Sequence, residues 1–115
     1  MRPAAICVAA LAVAGCQQFD YETPVKAALR DPESAQFSDV EVKGKIACGF
    51  VNSRNGFGGY AGQIPFVVQS TQATVIDAPT PEKMQLVNDK CPDGIALKIG
   101  SWSTQKITEQ LEAMQ

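Results

Sequence analysis

The chain has 115 residues, with ten lysines and arginines against twelve aspartates and glutamates, which gives a net charge of −2. This length fits one small domain. A chain with a slight negative net charge does not indicate the basic face that nucleic-acid binding requires. No nucleic-acid partner is therefore expected. The sequence contains no histidine, which excludes a Ser-His-Asp hydrolase and removes the usual base of a cysteine nucleophile. No cofactor and no catalytic constellation are expected.

The chain begins with the features of an export signal. Arg2 supplies a positive charge, and an apolar run extends from Ala4 to Ala14. The run is shorter than the roughly twenty residues that span a hydrocarbon core, but it has the length of the apolar region of a signal peptide. Small residues then lead directly into Cys16.

The tetrapeptide Val13-Ala14-Gly15-Cys16 resembles the lipobox of bacterial lipoproteins. In those proteins the cysteine receives an S-diacylglycerol group, the signal is cleaved before it, and the new amino terminus is acylated. The resemblance implies that residues 1–15 are a removed signal peptide and that Cys16 is lipidated and anchors the protein to a membrane. A short buried helix with a chance cysteine, or an uncleaved anchor, is the alternative.

The residue after the modified cysteine carries sorting information in this resemblance. In lipoproteins of enteric-type bacteria an aspartate there retains the protein in the inner membrane, and this chain has Gln17. The resemblance therefore implies the outer membrane, facing the periplasm, although the rule varies between lineages and the inner membrane stays open. Residues 16–22 are interpreted as a polar tether, and residues 23–115 as a single domain.

The cysteine count predicts one disulfide. With Cys7 in the signal and Cys16 lipidated, Cys48 and Cys91 remain. Two remaining cysteines in an exported protein indicate a disulfide, which should stabilise the domain by roughly 2–4 kcal/mol. Free thiols and metal ligands are the alternatives. The lack of histidine and of a Cys-x-x-Cys pair argues against a metal site.

The first part of the domain predicts a helix followed by strands. Thr23 is expected to cap a helix with Pro24 at its first position, and Asp31-Pro32 to end it before a short turn to Gln36. The next apolar residues share one parity, as in a half-buried strand: Val40, Val42, Ile46, Cys48 and Phe50. A bend, bulge or tight turn is expected at Lys43-Gly44-Lys45, and both faces are apolar beyond it.

A loop over residues 53–59 separates this region from a second strand, so the two predict an antiparallel hairpin. The second strand is defined by Tyr60, Ile64, Phe66 and Val68. Pro65 predicts an edge strand or a bulge. Residues 71–76 are rich in β-branched side chains and predict a third strand.

The last part of the chain predicts helices around a short strand. Thr80 and Pro81 begin a helix that places Met84, Val87 and Cys91 on one face, directed at the sheet face that carries Cys48. A turn at residues 92–94, a short strand at residues 95–99 and a last helix capped by Ser101 or Ser103 follow. Ile107, Leu111 and Met114 are its expected buried stripe. The predicted fold class is α+β: an antiparallel sheet of three to four strands packed with two to three helices, with one disulfide.

Two segments of the domain carry a further resemblance. Residues 31–37 read D-P-x-S-A-x-F, and residues 48–62 read C-G-x-V-N-x-x-N-x-x-G-G-Y-x-G. The pair resembles a set of small, exported or lipid-anchored bacterial proteins, some encoded on mobile elements, of uncharacterised function. The resemblance implies a fold neighbourhood and no activity, so no catalytic residue is transferred.

The loop between the strands is the candidate recognition surface, through Arg54, Asn55, Phe57 and Tyr60. Its glycines do not fit the G-x-G-x-x-G fingerprint, because Ala61 stands at the sixth position from Gly56. Aromatic and arginine side chains on a loop are typical of protein contacts. The alternative is a plain hairpin loop that uses Asn and Gly for positive φ.

These features predict a lipid-anchored binding or structural module on the periplasmic side, with the membrane and an envelope protein or peptidoglycan as partners. An inhibitor of a cell-wall hydrolase, or an exclusion factor of mobile-element origin, is one alternative. An envelope enzyme acting on peptidoglycan or lipid is another, and Asp39 with Glu41 is its candidate carboxylate pair, although a solvated strand face explains the same residues.

Overall fold

A computed structural model describes residues 19–54, 58–60 and 62–115. The predictions for the signal peptide and for Cys16 therefore lie outside the described residues. In chain order the described elements are α1 (Glu22–Ala27), a 3-10 turn (Pro32–Ser34), β1 (Gln36–Lys43), β2 (Ile46–Asn52), β3 (Ile64–Gln69), β4 (Gln72–Val75), α2 (Pro81–Lys90) and α3 (Asp93–Ala113). The sheet is antiparallel with strand order β1-β2-β3-β4, which confirms the predicted α+β class.

A tight turn at Gly44-Lys45 joins β1 to β2, and Gly44 adopts a positive φ of 61°. The predicted turn is thus confirmed. The prediction that Val42 and Cys48 lie on the same face of the sheet is wrong. Val42 lies opposite Ala47, not opposite Cys48, because cross-strand partners share a face whatever their parity in the sequence. A register shift between Ser38 and Glu41 bends β1 further.

One face of the sheet packs against α2 and α3. Its buried core is formed by Cys48, Phe50, Val67, Ile76, Val87, Cys91, Ile95 and Ile99. The predicted disulfide is confirmed: Cys48 on β2 is bonded to Cys91 at the end of α2, across a sequence separation of 43 residues. Because the bond closes a long loop, the chain-entropy estimate of its stabilisation is about 4 kcal/mol. We call this face the stapled face.

The opposite face packs against α1 and the residues that precede it. Its buried core is formed by Val25, Ala47, Val51, Phe66 and Val68. Tyr21 stacks on Phe66 at 5.9 Å between ring centroids, and Phe37 meets Phe66 edge-on at 5.6 Å. Burial, reinforced by the neighbouring Glu22 charge, raises the pKa of Tyr21. We call this face the aromatic face.

Residues 19–22, assigned to the tether from the sequence, belong to the folded domain, because Phe19 and Tyr21 pack on the aromatic face. Thr23 does not cap α1, which begins at Glu22. Instead Thr23 donates its backbone N–H and its hydroxyl to the Asp20 carboxylate at 3.1 and 2.7 Å. The Thr23 hydroxyl is the main cause that lowers the pKa of Asp20, since both bonds favour the charged form.

Pro65 lies on neither an edge strand nor a bulge, because β3 is flanked by β2 and β4. Its carbonyl accepts the Ile76 N–H at 2.8 Å, but proline has no N–H to return. The regular pairing with β4 accordingly ends at Phe66 and Val75. Pro65, which has no N–H to donate, therefore lies where the hydrogen bonding between β3 and β4 ends.

The C-terminal prediction of a turn, a strand and a capped helix is wrong. A single helix, α3, runs from Asp93 to Ala113, and Ile95, Ile99 and Ser103 are its buried residues at helical spacing. Ser101 and Ser103 lie inside this helix and do not cap it. The expected buried stripe is also wrong, because Ile107, Leu111 and Met114 are 43%, 58% and 81% exposed. No helix within the described ranges is both long and apolar enough to cross a membrane.

Candidate functional site

The 3-10 turn at residues 32–34 is tied to the chain that leaves β2. Ser34 is only 5% exposed. Its hydroxyl donates to the Asp31 carbonyl at 2.7 Å and accepts the Arg54 N–H at 2.8 Å. Both capacities of this hydroxyl are therefore used within the fold, and Ser34 holds the start of the loop in place.

An ion pair adds to this connection. The Arg54 Nε lies 3.3 Å from the Asp31 Oδ2, with the two side chains 47% and 39% exposed. An exposed pair of this kind contributes little free energy, but it limits the directions that the guanidinium can take. Arg54 thus presents part of a planar cation to solvent from a fixed backbone position.

The loop closes through its backbone. Arg54 and Tyr60 form an isolated antiparallel bridge, and the Asn52 side-chain carbonyl accepts the Gly62 N–H at 3.1 Å. Gly58 and Gly62 have positive φ of 86° and 101°, a conformation that glycine adopts without strain. The Asn and Gly residues described here therefore have backbone roles, as the hairpin-loop alternative expects.

The loop-base surface, defined by Asp31, Ser34, Arg54 and Tyr60, is the outcome of these contacts. Tyr60 is 48% exposed, so an aromatic ring and a guanidinium lie on opposite strands of the same loop base. Two of the predicted recognition residues are brought together in this way. The other two, Asn55 and Phe57, lie outside the described residues.

Sequence reasoning missed Asp31 and Ser34 as parts of this surface. The two segments that carry the second resemblance are in direct contact here, although 20 residues separate Ser34 from Arg54. Their joint appearance in one sequence was the only available signal. The contact gives a physical reason for a serine inside the D-P-x-S segment.

The candidate carboxylate pair on β1 contacts α3. Asp39 has a positive φ of 56° and forms an ion pair with Lys98 at 3.4 Å. A Cβ added to Gly94 would lie 3.1 Å from the Glu41 Oε2, so this carboxylate sits over the first turn of α3, where the helix dipole favours negative charge. Both carboxylates thus help to fix α3 against β1.

No group of three or more His, Cys, Asp or Glu side chains within residues 19–54, 58–60 and 62–115 is arranged to hold a metal ion. The surface of the domain also carries two shallow grooves. One, of about 370 Å³, lies beside the start of the domain and is lined by Phe19, Asp20, Thr23, Pro24, Ala27, Lys45 and Thr71. The other, of about 560 Å³, lies between α2 and α3.

Compared with protein-family models, with curated proteins and with solved structures, the chain has no match. The assignment of a function therefore depends on the residues and contacts described above.

Proposed function

We propose that the chain is a lipid-anchored lipoprotein of the bacterial cell envelope that acts as a protein-binding module on the periplasmic side. The observation that carries the proposal is the Val13-Ala14-Gly15-Cys16 segment after a short apolar run. The disulfide between Cys48 and Cys91 supports it, because such bonds persist in oxidising compartments such as the periplasm.

The position of Phe19 sharpens this proposal. Phe19 packs on the aromatic face and is the third residue after Cys16. Three residues span at most about 10 Å, so a lipidated Cys16 would hold the domain directly at the membrane surface. Only partners that are themselves close to that surface would then meet the module.

The loop-base surface is the proposed contact for such a partner. Arg54 is anchored by Asp31 and Ser34, and Tyr60 is half-exposed on the opposing strand. Arginine and tyrosine are enriched among the residues that dominate protein interfaces, and a held side chain loses less entropy on binding. An envelope protein, such as a cell-wall hydrolase that the module inhibits, is the proposed partner.

The anchor is tested by the intact mass of the protein purified from membranes. We expect the mass of residues 16–115 with the diacylglyceryl and N-acyl additions on Cys16. A Cys16→Ala variant should lose the acyl mass and keep the mass of the uncleaved residues 1–15, while its domain stays folded. A membrane-bound protein without the acyl mass, or a Cys16→Ala variant that is cleaved before residue 16 like the native chain, would contradict the proposal.

The contact is tested by crosslinking in intact envelopes followed by purification of the lipoprotein. Arg54→Ala and Tyr60→Ala should each reduce recovery of a defined partner. Glu82→Ala, an exposed change on α2, is the control and should leave recovery unchanged. If all three variants recover the partner equally, the loop-base surface is not the contact.

A further inference from the structure

Helix α3 carries an exposed apolar row that the fold does not use. Of the six large hydrophobic side chains that are exposed among the described residues, three lie on this helix and a fourth, Met114, directly follows it. Leu97 is 74% exposed, Leu111 is 58% exposed and Met114 is 81% exposed. The core contacts of α3 are made instead by Ile95, Ile99 and Ser103, on another face of the helix.

The row follows the repeat of a coiled coil. Together with the small residues Gly100 and Thr104, its members alternate at spacings of three and four: Leu97, Gly100, Thr104, Ile107, Leu111 and Met114. This is the a/d pattern, in which apolar residues repeat every 3.5 residues on average and face a second helix. We call these residues the α3 seam.

The two halves of the seam differ in shape. The half nearer the start of α3 is a groove of about 560 Å³, lined by Asn88, Ala96, Leu97, Gly100, Ser101 and Thr104. A Cβ added to Gly100 would meet nothing within 4 Å. The other half is a ridge of large side chains formed by Ile107, Leu111 and Met114. One helix therefore carries both a shallow, open groove and large side chains that could cover it.

We propose that the α3 seam pairs antiparallel with the α3 seam of a second copy of this chain. In an antiparallel pair, a positions meet d positions of the facing helix. Leu111 would then enter the groove at Gly100 of the second copy, and Ile107 would face Thr104 of the second copy. Met114 would meet Leu97. All seam positions are used once, which is the self-complementarity that a twofold symmetric dimer requires.

The residues beside the seam are compatible with a second copy of the same helix. The positions that flank the exposed seam are uncharged: Ser101, Thr108, Gln110 and Gln115. Pairing of different helices commonly uses complementary charges at such positions, and like charges there oppose self-pairing. Lys106 and Glu109 form an ion pair with each other at 3.6 Å, away from the seam. Neutral flanks allow two identical helices to approach.

The proposal is independent of the loop-base surface and of the partner proposed there. If Cys16 is lipidated, confinement to one membrane would raise the effective concentration of the second copy and strengthen a weak pair. The dimer would then present two loop-base surfaces on one assembly. A partner with two sites would bind such an assembly with increased avidity.

The test is sedimentation equilibrium of the full chain in detergent, over a range of protein concentrations. We expect a monomer–dimer equilibrium that Leu111→Lys weakens more than about tenfold, because the lysine charge would be buried in the pair. Glu109→Gln changes the net charge by the same amount away from the seam, and it should leave the equilibrium unchanged. Circular dichroism checks that Leu111→Lys, an exposed position, keeps its helix content.

Orientation is tested by disulfide crosslinking between copies. A mixture of Gly100→Cys and Leu111→Cys chains should crosslink across the pair, whereas Leu111→Cys alone should not crosslink to itself. Efficient self-crosslinking of Leu111→Cys would overturn the antiparallel arrangement. A chain that stays monomeric at every concentration, or a dimer that Leu111→Lys leaves intact, would overturn the proposal itself.

Discussion

The two faces of the sheet are stabilised by different means. The stapled face holds α2 to β2 through the Cys48–Cys91 bond and a layer of mostly aliphatic side chains. The aromatic face has no covalent link among its described residues and depends on the packing of Tyr21 and Phe37 around Phe66. The face that follows the proposed lipid anchor is therefore held by non-covalent packing, and the covalent link restrains the helical layer behind it.

The largest effect is expected on the aromatic face. Phe66 is fully buried and contacts both Tyr21 and Phe37. Phe66→Ala should lower the free energy of unfolding by about 3–5 kcal/mol, since the lost transfer energy is joined by the cost of a cavity. Urea denaturation measures this change. Tyr60→Ala, at a half-exposed aromatic, is the control, and an equal loss there would show that Phe66 has no special place in the core.

Removal of the disulfide is the corresponding change on the stapled face. The double variant Cys48→Ala/Cys91→Ala should lose about 2–4 kcal/mol of unfolding free energy, mainly because its unfolded chain is less restrained. Hydrogen exchange should then accelerate in α2 more than in α1, since only α2 loses its link to the sheet. Reductant should destabilise the native protein and leave the double variant unaffected. Equal acceleration in both helices would contradict the division into two faces.

Gly49 on β2 offers a smaller test at the join between β1 and β2. A Cβ at this position would lie 2.9 Å from the Val40 Cα and 3.3 Å from the Phe66 ring. Since backbone cannot yield as a flexible side chain does, Gly49→Ala should cost about 1–3 kcal/mol. Gly59→Ala, where the added atom meets nothing within 4 Å, should be near neutral. Thermal melts of the two variants should differ accordingly.

The sequence predicted those parts of the fold that depend on local chemistry. The turn at Gly44-Lys45 and the helix start at Thr80-Pro81 follow from residue type, and the Thr80 hydroxyl accepts the Lys83 N–H at 3.3 Å as expected of a cap. The disulfide followed from the number of cysteines that remain once Cys7 and Cys16 are set aside. These features require no knowledge of distant contacts.

The errors have physical causes. Ile95, Leu97 and Ile99 alternate as in a strand, yet Ile95 and Ile99 also lie one helical turn apart, and Leu97 is 74% exposed. Alternation over so few residues does not distinguish a strand from a helix. The apolar stripe at Ile107 and Leu111 identified a helix face but not what covers it. In the candidate site, the contact of Ser34 with Arg54 crosses 20 residues and leaves no local pattern.

The smallest effect concerns acid stability near the stapled face. Lys83 donates a hydrogen bond to Asp77 at 3.1 Å, and this bond, followed by the lysine charge, lowers the pKa of Asp77 from its ordinary value of 3.8. A lowered pKa means that the stabilising contribution is complete above pH 3.8 and disappears as the pH falls through the lower folded-state value. Asp77→Asn should therefore reduce the melting temperature slightly at pH 7, because the pair is exposed.

The difference in melting temperature between the native protein and Asp77→Asn should narrow as the pH is lowered below 4, since native Asp77 then also becomes neutral. Glu82→Gln, a neighbouring exposed carboxylate on α2, is the matched control and should show no such convergence. Because the Asp77–Lys83 pair joins the chain after β4 to the first turn of α2, its loss should leave the aromatic face unchanged. The NMR signals of the Tyr21 ring, followed during the melt, report on that face. If Asp77→Asn changes the signal of Tyr21 at pH 7, the two faces are coupled through the sheet.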